Sequence, residues 1–344
     1  MKNALTYITR KCPRHCEYCA IRNSKMPGEL SPERWKEAFE VLENLGVDFN
    51  LILGNEAWLF GDKLAVFMKD TKTPYAIYTT ASEPLFSKNV DFLLGKQIID
   101  NLSCGFDFPN DVSSDMIDDD SYKKSQDAWK AFTYVRKKYP WVDTQGTMTV
   151  HRLNYRFLPK IVEQLQDIGV NIGVNFIHWD KDGAFDFFPR KEDIEELLFK
   201  ESDYADLRKV LDKTLSIDKG YLQNPEFLKL PLEVLVEMGW HCQGDPYGGP
   251  TIDADGSLRV CGYRKGIYTS KFKIWDLKDP EKVKQWQEAV KKDAMECPGC
   301  SWSYPWMYHY WQNKEPEFGK DVFANHASKK LDIGKWKKRI TDKY

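Results

Sequence analysis

The sequence predicts an α/β fold: an open, partial barrel of six strand–helix units, followed by a smaller C-terminal unit. Six candidate strands alternate with helical segments over about 180 residues, and strands joined by helical crossovers pair in parallel. Six units are too few for a closed eight-unit barrel of ~250 residues. Cysteines and polar residues also gather where the candidate strands end, the position at which parallel α/β folds collect ligands.

The first strand reads Leu5-Thr6-Tyr7-Ile8-Thr9. In SPERWKEAFEVLENLG, Ser31 is an N-cap, Pro32 takes the first helical position, Glu33 suits the first turn and Gly46 closes the helix. Phe49 to Leu53 is the second strand, ending at Gly54-Asn55-Glu56. A helix near Lys63–Lys69 leads to a third strand, Tyr75–Thr80, and LSCGFDF lies in a fourth, Ile98–Asp107. Ser121–Lys138 is an amphipathic helix, Thr144–His151 a fifth strand, Tyr155–Ile168 a helix closed by Gly169, and Asn171–Trp179 a sixth strand. Residues 181–230 are charged, helical in pattern and read as a connector completing a first domain, 1–230. The second unit, 231–312, holds MGWHCQGDPYGGPTIDADGSLRVCGYRKG, a helix at Pro280–Lys292 and ECPGCSWSYPWMYHYW. Residues 313–344 form a basic terminal segment, read as solvated rather than as a nucleic-acid tail.

The 344 residues are 42% hydrophobic and 30% charged, with a net charge of −2. Such a balance favours no nucleic-acid or membrane-surface partner. No apolar run approaches the ~20 residues of a membrane span. MKNALTYITRKC lacks the apolar stretch of a signal peptide, so a cytoplasmic protein is expected. Thiols stay reduced there, and clustered cysteines then suggest metal binding or catalysis before disulfides. Of eight cysteines, seven fall in two groups and Cys104 stands alone.

KCPRHCEYCAIRN places Cys12, Cys16 and Cys19 in a C-x3-C-x2-C loop after the first strand. Three thiolates on one short loop suit an iron–sulfur cluster, and a four-iron cluster with three protein ligands keeps one iron open to a small molecule. His15 could instead complete a zinc site.

This loop, with Tyr18 before its last cysteine, resembles that of the radical S-adenosylmethionine (SAM) superfamily, over roughly residues 4–180. The resemblance implies a four-iron cluster on the three cysteines and SAM chelating the fourth iron. It implies reductive cleavage of SAM to methionine and a 5′-deoxyadenosyl radical, which takes a hydrogen atom from the substrate. An electron donor such as a flavodoxin or ferredoxin is implied as well. Tyr18 matches the loop aromatic whose backbone meets the adenine. Gly54-Asn55-Glu56-Ala57 stands where the family has Gly-Gly-Glu-Pro, with Glu56 accepting from the SAM amino group; Asn55 and Ala57 depart from that pattern. Thr79, Thr80, Asp107 and Asn154, at strand ends, are further candidate SAM contacts.

Cys242, Cys261, Cys297 and Cys300 form the second group. Asp253-Ala254-Asp255-Gly256 reads as a hairpin turn that brings Cys242 and Cys261 together, and Cys297-Pro298-Gly299-Cys300 adds a two-residue bite. Four thiolates leave no open position, and the ligand type suits zinc or a four-iron cluster. The spacing resembles the twitch domain, the short form of the SPASM extension of radical SAM enzymes. That implies one auxiliary four-iron cluster, with electron transfer as its work and net oxidation of the substrate as the outcome.

Cys104 is a candidate hydrogen donor to a substrate radical, as in related epimerases. His151, His178 and Asp180 are candidate bases or hydroxyl ligands; Asp180 and Asp182 read equally well as loop residues. Trp302, Tyr304, Trp306, Tyr308 and Trp311 are expected to pack around the auxiliary site, or to stack on substrate. The leading expectation is an enzyme acting on a small polar substrate. A ribosomally made peptide, a redox-neutral epimerase, and a non-enzymatic iron–sulfur or zinc protein are the alternatives.

Overall fold

A computed structural model of the chain describes residues 3–19, 28–61, 63–68, 75–95, 98–112, 120–185, 187–242 and 244–314. Six parallel strands, β1 (Asn3–Tyr7), β2 (Phe49–Leu53), β3 (Tyr75–Thr79), β4 (Asn101–Gly105), β5 (Asp143–Val150) and β6 (Asn171–Phe176), lie side by side in chain order. Helices α1 (Pro32–Asn44), α2 (Lys63–Met68), α3 (Leu85–Gly95), α4 (Asp120–Lys138) and α5 (Leu158–Asp167) make the crossovers. This is the partial barrel the alternation predicts. Ser31 caps α1, its side chain accepting from Arg34 N. Helix α3 was not foreseen, and β4 is shorter than the predicted 98–107.

Alternation along the strands creates two cores. Ile52, Ile77, Leu102, Met148 and Val174 face the helices and join the main core. Leu5, Tyr7, Phe49, Leu53 and Ala76 face the barrel interior, where they meet Tyr247 and Trp302 from the C-terminal part of the chain.

The 181–230 segment does more than connect. Helix α6 (Glu201–Ile217) packs on α5, and α7 (Pro225–Leu228) follows. Between them Leu222 bridges Ile172 in parallel, extending the sheet past β6 and placing Gln223 at the interior. A short helix, α8 (Leu232–Val236), precedes β7 (Thr251–Ile252) and β8 (Leu258–Arg259). The turn at Asp253–Gly256 forms as expected, with Gly256 N donating to Asp253 O at 2.8 Å. Strand β7 pairs in parallel with β1, and β8 returns antiparallel, so the hairpin continues the barrel sheet.

Helix α9 (Pro280–Met295) and α10 (Ser303–Lys314) complete the described chain. Ser301 Oγ donates to Phe176 O and Ile177 O, and Ser303 N and Oγ donate to Asn175 Oδ1. The C-terminal unit therefore touches both edges of the open sheet, β1 through β7 and β6 through residues 301–303. The basic segment read at 313–344 lies outside the described residues from 315 onward. Among the described residues no helix is long and apolar enough to cross a membrane.

Candidate functional site

The exits of β1 and β2 run together: Asn55 N donates to Thr9 O at 3.4 Å and Glu56 N to Lys11 O at 3.1 Å. Cys12 thereby emerges beside Gly54 and Asn55, and Cys19 N closes a turn onto Cys16 O at 3.0 Å. Cys12, Cys16 and Cys19 all line one cavity of about 220 Å³ inside the barrel. Arg14 N reaches Cys12 Sγ at 3.4 Å. Burial pushes the Cys12 thiol up to about 12, and neighbouring Cys19, Glu56 and Cys16 add to the rise. Metal binding would have to overcome that cost, because a ligating cysteine is a thiolate.

Gly54, Asn55, Tyr18 and Thr80 line the same cavity; Glu56, Thr79, Asp107 and Asn154 do not. Glu56 is completely buried. One of its oxygens accepts from Trp58 N at 3.1 Å and Thr79 Oγ1 at 2.6 Å, the other from Thr80 N at 3.0 Å and Thr80 Oγ1. Four donors fill the lone-pair positions of a carboxylate. Burial nevertheless raises its pKa, against the pull of those hydrogen bonds. Asp107 is equally engaged. Its carboxylate pairs with Lys124 Nζ at 2.5 Å, accepts from the Tyr18 hydroxyl, and takes Thr149 N at 2.9 Å. Asn154 bridges His151 N and Thr149 O and orders the turn after β5.

Lys124 is a residue that the sequence reading missed. It belongs to α4, lies over Gly105, lines the cavity and also donates to the Tyr18 hydroxyl. Burial alone would lower its pKa; Asp107, Tyr18 and Cys16 more than offset that, and the net displacement is upward. Arg14, the other cation of the lining among the described residues, pairs with Asp127 and donates to Ser82 at 3.0 Å.

The remaining candidates separate. Cys104 is fully buried among the helix-facing residues of β4, and it is its neighbour Ser103 that lines the cavity. By the two-residue strand period the Cys104 thiol turns toward the helices, as Leu102 does. His151 sits between the rings of Tyr18 and Phe108, with Nδ1 accepting from Leu153 N. Asp180 accepts from Phe185 N at 2.9 Å and shapes its own loop. Neither lines the cavity.

Cys242, Cys261, Cys297 and Cys300 line a second, smaller cavity of about 20 Å³. Arg264 N and Trp302 N each reach a sulfur, Cys261 and Cys300, at 3.3 Å. Burial pushes Cys261 up to about 11 and Cys242 and Cys300 well above the usual thiol range, with neighbouring cysteines raising each further. All four thiols thus line one dry space, with backbone N–H groups on two of the sulfurs, an environment that suits a fully ligated cluster. Among the described residues no three His, Cys, Asp or Glu side chains gather as a single metal ion requires. His15 is exposed and stands apart from the cavity lining.

His178, Tyr263 and Trp302 line both cavities and form the partition between them. The Tyr263 and Trp302 rings lie 4.5 Å apart, and the His178 and Tyr263 rings 5.6 Å. Burial lowers His178 to about 4, and its Nε2 accepts from Ser301 N at 3.1 Å. Trp302 and Tyr304 thus serve the barrel interior, whereas Trp306 and Tyr308 belong to the main core.

No family model and no curated protein sequence matches the chain. Solved structures do. SuiB of Streptococcus suis bound to precursor peptide SuiA gives a TM-score of 0.60 at 13% identity, over 87% of this chain and 69% of SuiB. SuiB bound to S-adenosylmethionine gives 0.59 at 14%, over 84% of this chain and 66% of SuiB, so the chain spans about two thirds of that protein. anSMEcpe with bound AdoMet and Cp18Cys peptide gives 0.54 at 14%, over 93% of this chain and 99% of that one. At these identities the likeness is one of fold, and the partial barrel with its C-terminal extension is a fold this chain shares with them.

Proposed function

We propose that the chain is a radical SAM enzyme that abstracts a hydrogen atom from a substrate held inside the barrel. One observation carries the reading: Cys12, Cys16 and Cys19 line the same buried cavity as the polar interior of the sheet. These cysteines would hold a four-iron cluster with one iron open to SAM, and the bound pair supplies reductive cleavage of SAM to methionine and a 5′-deoxyadenosyl radical. The four thiols of the second set would hold a fully ligated cluster, which supplies an electron acceptor next to the cavity and makes net oxidation the favoured reaction class.

The chain's own residues prepare this chemistry. Gly54, Asn55 and Thr80 form the wall beside the cysteine loop where a SAM amino-acid group would lie. Tyr18, Lys124 and Asp107 lock the loop to β4 and α4 and keep the buried charges there balanced. Tyr263 and Trp302 close the cavity toward the second cysteine set, which excludes water from a radical intermediate. A division into barrel (1–230) and twitch-type unit (231–312), a cytoplasmic setting and a flavodoxin- or ferredoxin-like donor belong to the same reading. A small polar substrate comes first. A peptide comes second, because SuiB and anSMEcpe, which share the fold, were both solved with peptides bound. The Cys104 epimerase is set aside, since Ser103 and not Cys104 lines the cavity.

The test is anaerobic reconstitution, an iron and sulfide count, and incubation with SAM and dithionite. About eight irons per chain, two four-iron clusters, together with 5′-deoxyadenosine formation, are expected. A reconstituted chain that leaves SAM intact overturns the proposal.

A further inference from the structure

The deep part of the cavity has two unlike walls. Phe49, Leu51 and Ala76 make the β2–β3 side apolar, and Trp302 extends it. The β4–β6 side is a belt of amides and hydroxyls. Ser103 Oγ lies 3.2 Å from Asn101 Oδ1, Gln145 Nε2 donates to Thr147 Oγ1 at 3.3 Å and to the Tyr304 hydroxyl, and that hydroxyl donates to Gln223 Oε1 at 3.3 Å. Asn175 Oδ1 is fixed by Ser303 N and Oγ, which settles which end of its amide is the donor.

Three amide donors remain. Asn101, Asn175 and Gln223 are 6%, 8% and 7% exposed, and all three line the cavity. Each gives its amide oxygen to a neighbour, while Asn101 Nδ2, Asn175 Nδ2 and Gln223 Nε2 donate to no described residue. These amide N–H groups open onto the cavity, where water or the acceptor atoms of a ligand would meet them. Among the described residues the lining contains no Asp or Glu. Its two cations among the described residues, Arg14 and Lys124, stand at the cysteine-loop end and are already paired with Asp127 and Asp107. A ligand ammonium entering the deep end would find donors and, among the described residues, no counter-charge.

We propose that the deep cavity binds an uncharged group with carbonyl or hydroxyl oxygens along one edge and an apolar face on the other. The oxygens accept from Asn101, Asn175 and Gln223, and the apolar face lies on Leu51, Ala76 and Trp302. This rests on the reading of the cavity as the substrate chamber of a SAM-dependent enzyme. It narrows the substrate class: a cyclitol or sugar enters by a neutral hydroxylated edge, a peptide by blocked amides, and an amine-bearing ring is rejected at this end.

Matched probes test it by calorimetry on the reconstituted full chain, without reductant. Glucose is compared with glucosamine, and N-acetyl-alanyl-alanine amide with alanyl-alanine amide. The neutral member of at least one pair is expected to bind about tenfold or more tighter than its cationic partner; which pair responds tells a sugar-like from a peptide source. Asn175→Asp keeps the oxygen that holds Ser303 and replaces the donor by a carboxylate oxygen. It should weaken the neutral probe and favour the cationic one. Equal or tighter binding of the cationic probes, no binding of either neutral probe, or unchanged selectivity in Asn175→Asp overturns the inference. 5′-Deoxyadenosine formation is followed on the same preparation without probe; its loss counts against the enzyme reading and leaves the binding preference to be judged by itself.

Discussion

The two cysteine sets, read as cluster ligands, present the same atom in opposite ways. Cys12, Cys16 and Cys19 come from one loop and face a cavity large enough for a ligand. Cys242, Cys261, Cys297 and Cys300 come from three separate segments and face a space of about 20 Å³. A set on one loop leaves a side open, because a short loop can approach a point from one direction only. A set drawn from distant segments closes around its centre and also ties those segments together. Openness suits chemistry on a bound molecule; closure suits stability and electron transfer.

The largest expected effect separates the two sets. Cys16→Ser should abolish 5′-deoxyadenosine formation and halve the reconstituted iron, from about eight to about four per chain. Cys297→Ser should remove a similar amount of iron yet leave reductive SAM cleavage in place while substrate oxidation is lost. Iron content and 5′-deoxyadenosine, measured side by side, check this. Loss of SAM cleavage in Cys297→Ser would break the contrast between an open working site and a closed supporting one.

Next in size is the junction between the sets. Arg10 stands two residues before Cys12, Arg259 two residues before Cys261, and Asp253 pairs with both at 2.7 Å. The three side chains are almost completely buried, and the Phe187 ring centroid lies 4.7 Å from the Arg10 guanidinium carbon and 4.5 Å from that of Arg259. Removing one partner of such a network costs about 3–5 kcal/mol. Asp253→Asn should therefore lower the stability of the chain by about that amount, read from urea unfolding, and impair iron loading at both sets. Burial alone would raise the Asp253 carboxyl, but Arg10 and Arg259 outweigh it and its pKa lies below the usual carboxylate range. The folded state then binds this proton less readily than the unfolded chain. Its contribution is complete above the unfolded value of about 3.9 and falls away as the pH drops through the lower folded value. Asp253→Asn should flatten that acid limb of the stability curve.

Much of this arrangement was legible in the sequence, for definable reasons. The β2 strand at Phe49–Leu53 follows from an apolar run bounded by Gly54-Asn55, and α1 from the Ser31-Pro32 start. The cysteine spacings mark both sets because ligand spacing is local. What stayed hidden depends on which way a strand faces or on distant pairing. Cys104 and Ser103 are adjacent, and only the sheet decides which of them reaches the cavity. Lys124 looks like one more cation on a charged helix until Asp107 at the end of β4 is seen beside it. Gln223 reaches the interior only because Leu222 bridges Ile172. The hairpin joins the sheet through two-residue strands too short to carry a pattern.

A smaller effect probes the rim of the open set. Glu56 accepts from the backbone N–H groups of Trp58 and Thr80, one on each oxygen. Glu56→Gln must turn its amide nitrogen toward one of them, since neither can rotate away. The expected cost is about 1–3 kcal/mol, seen as a lower urea midpoint, with SAM affinity changed only modestly. A large loss of SAM affinity without loss of stability would mean that Glu56 leaves these donors when SAM binds, and that the open set is reorganised by its ligand.

The smallest effect concerns a glycine beside each set. Gly299 sits between Cys297 and Cys300 at φ +139, and a side chain there would run into the Met238 carbonyl oxygen. The closed set thus fixes its backbone as tightly as its thiols. Gly54, beside the open set, would bring a Cβ to 3.1 Å from Thr9 Cγ2 and 3.4 Å from Thr9 O. The methyl end of a threonine can shift by a few tenths of an ångström, and the backbone there needs no left-handed conformation. Gly54→Ala should cost under about 1 kcal/mol and leave the iron count unchanged. Because Gly54 lines the cavity, the added methyl should still raise the KM for SAM, by about tenfold at most. An unchanged KM would place SAM away from the Gly54–Asn55 wall and move its amino-acid group toward Arg14 and Lys124, the only cations lining the cavity among the described residues.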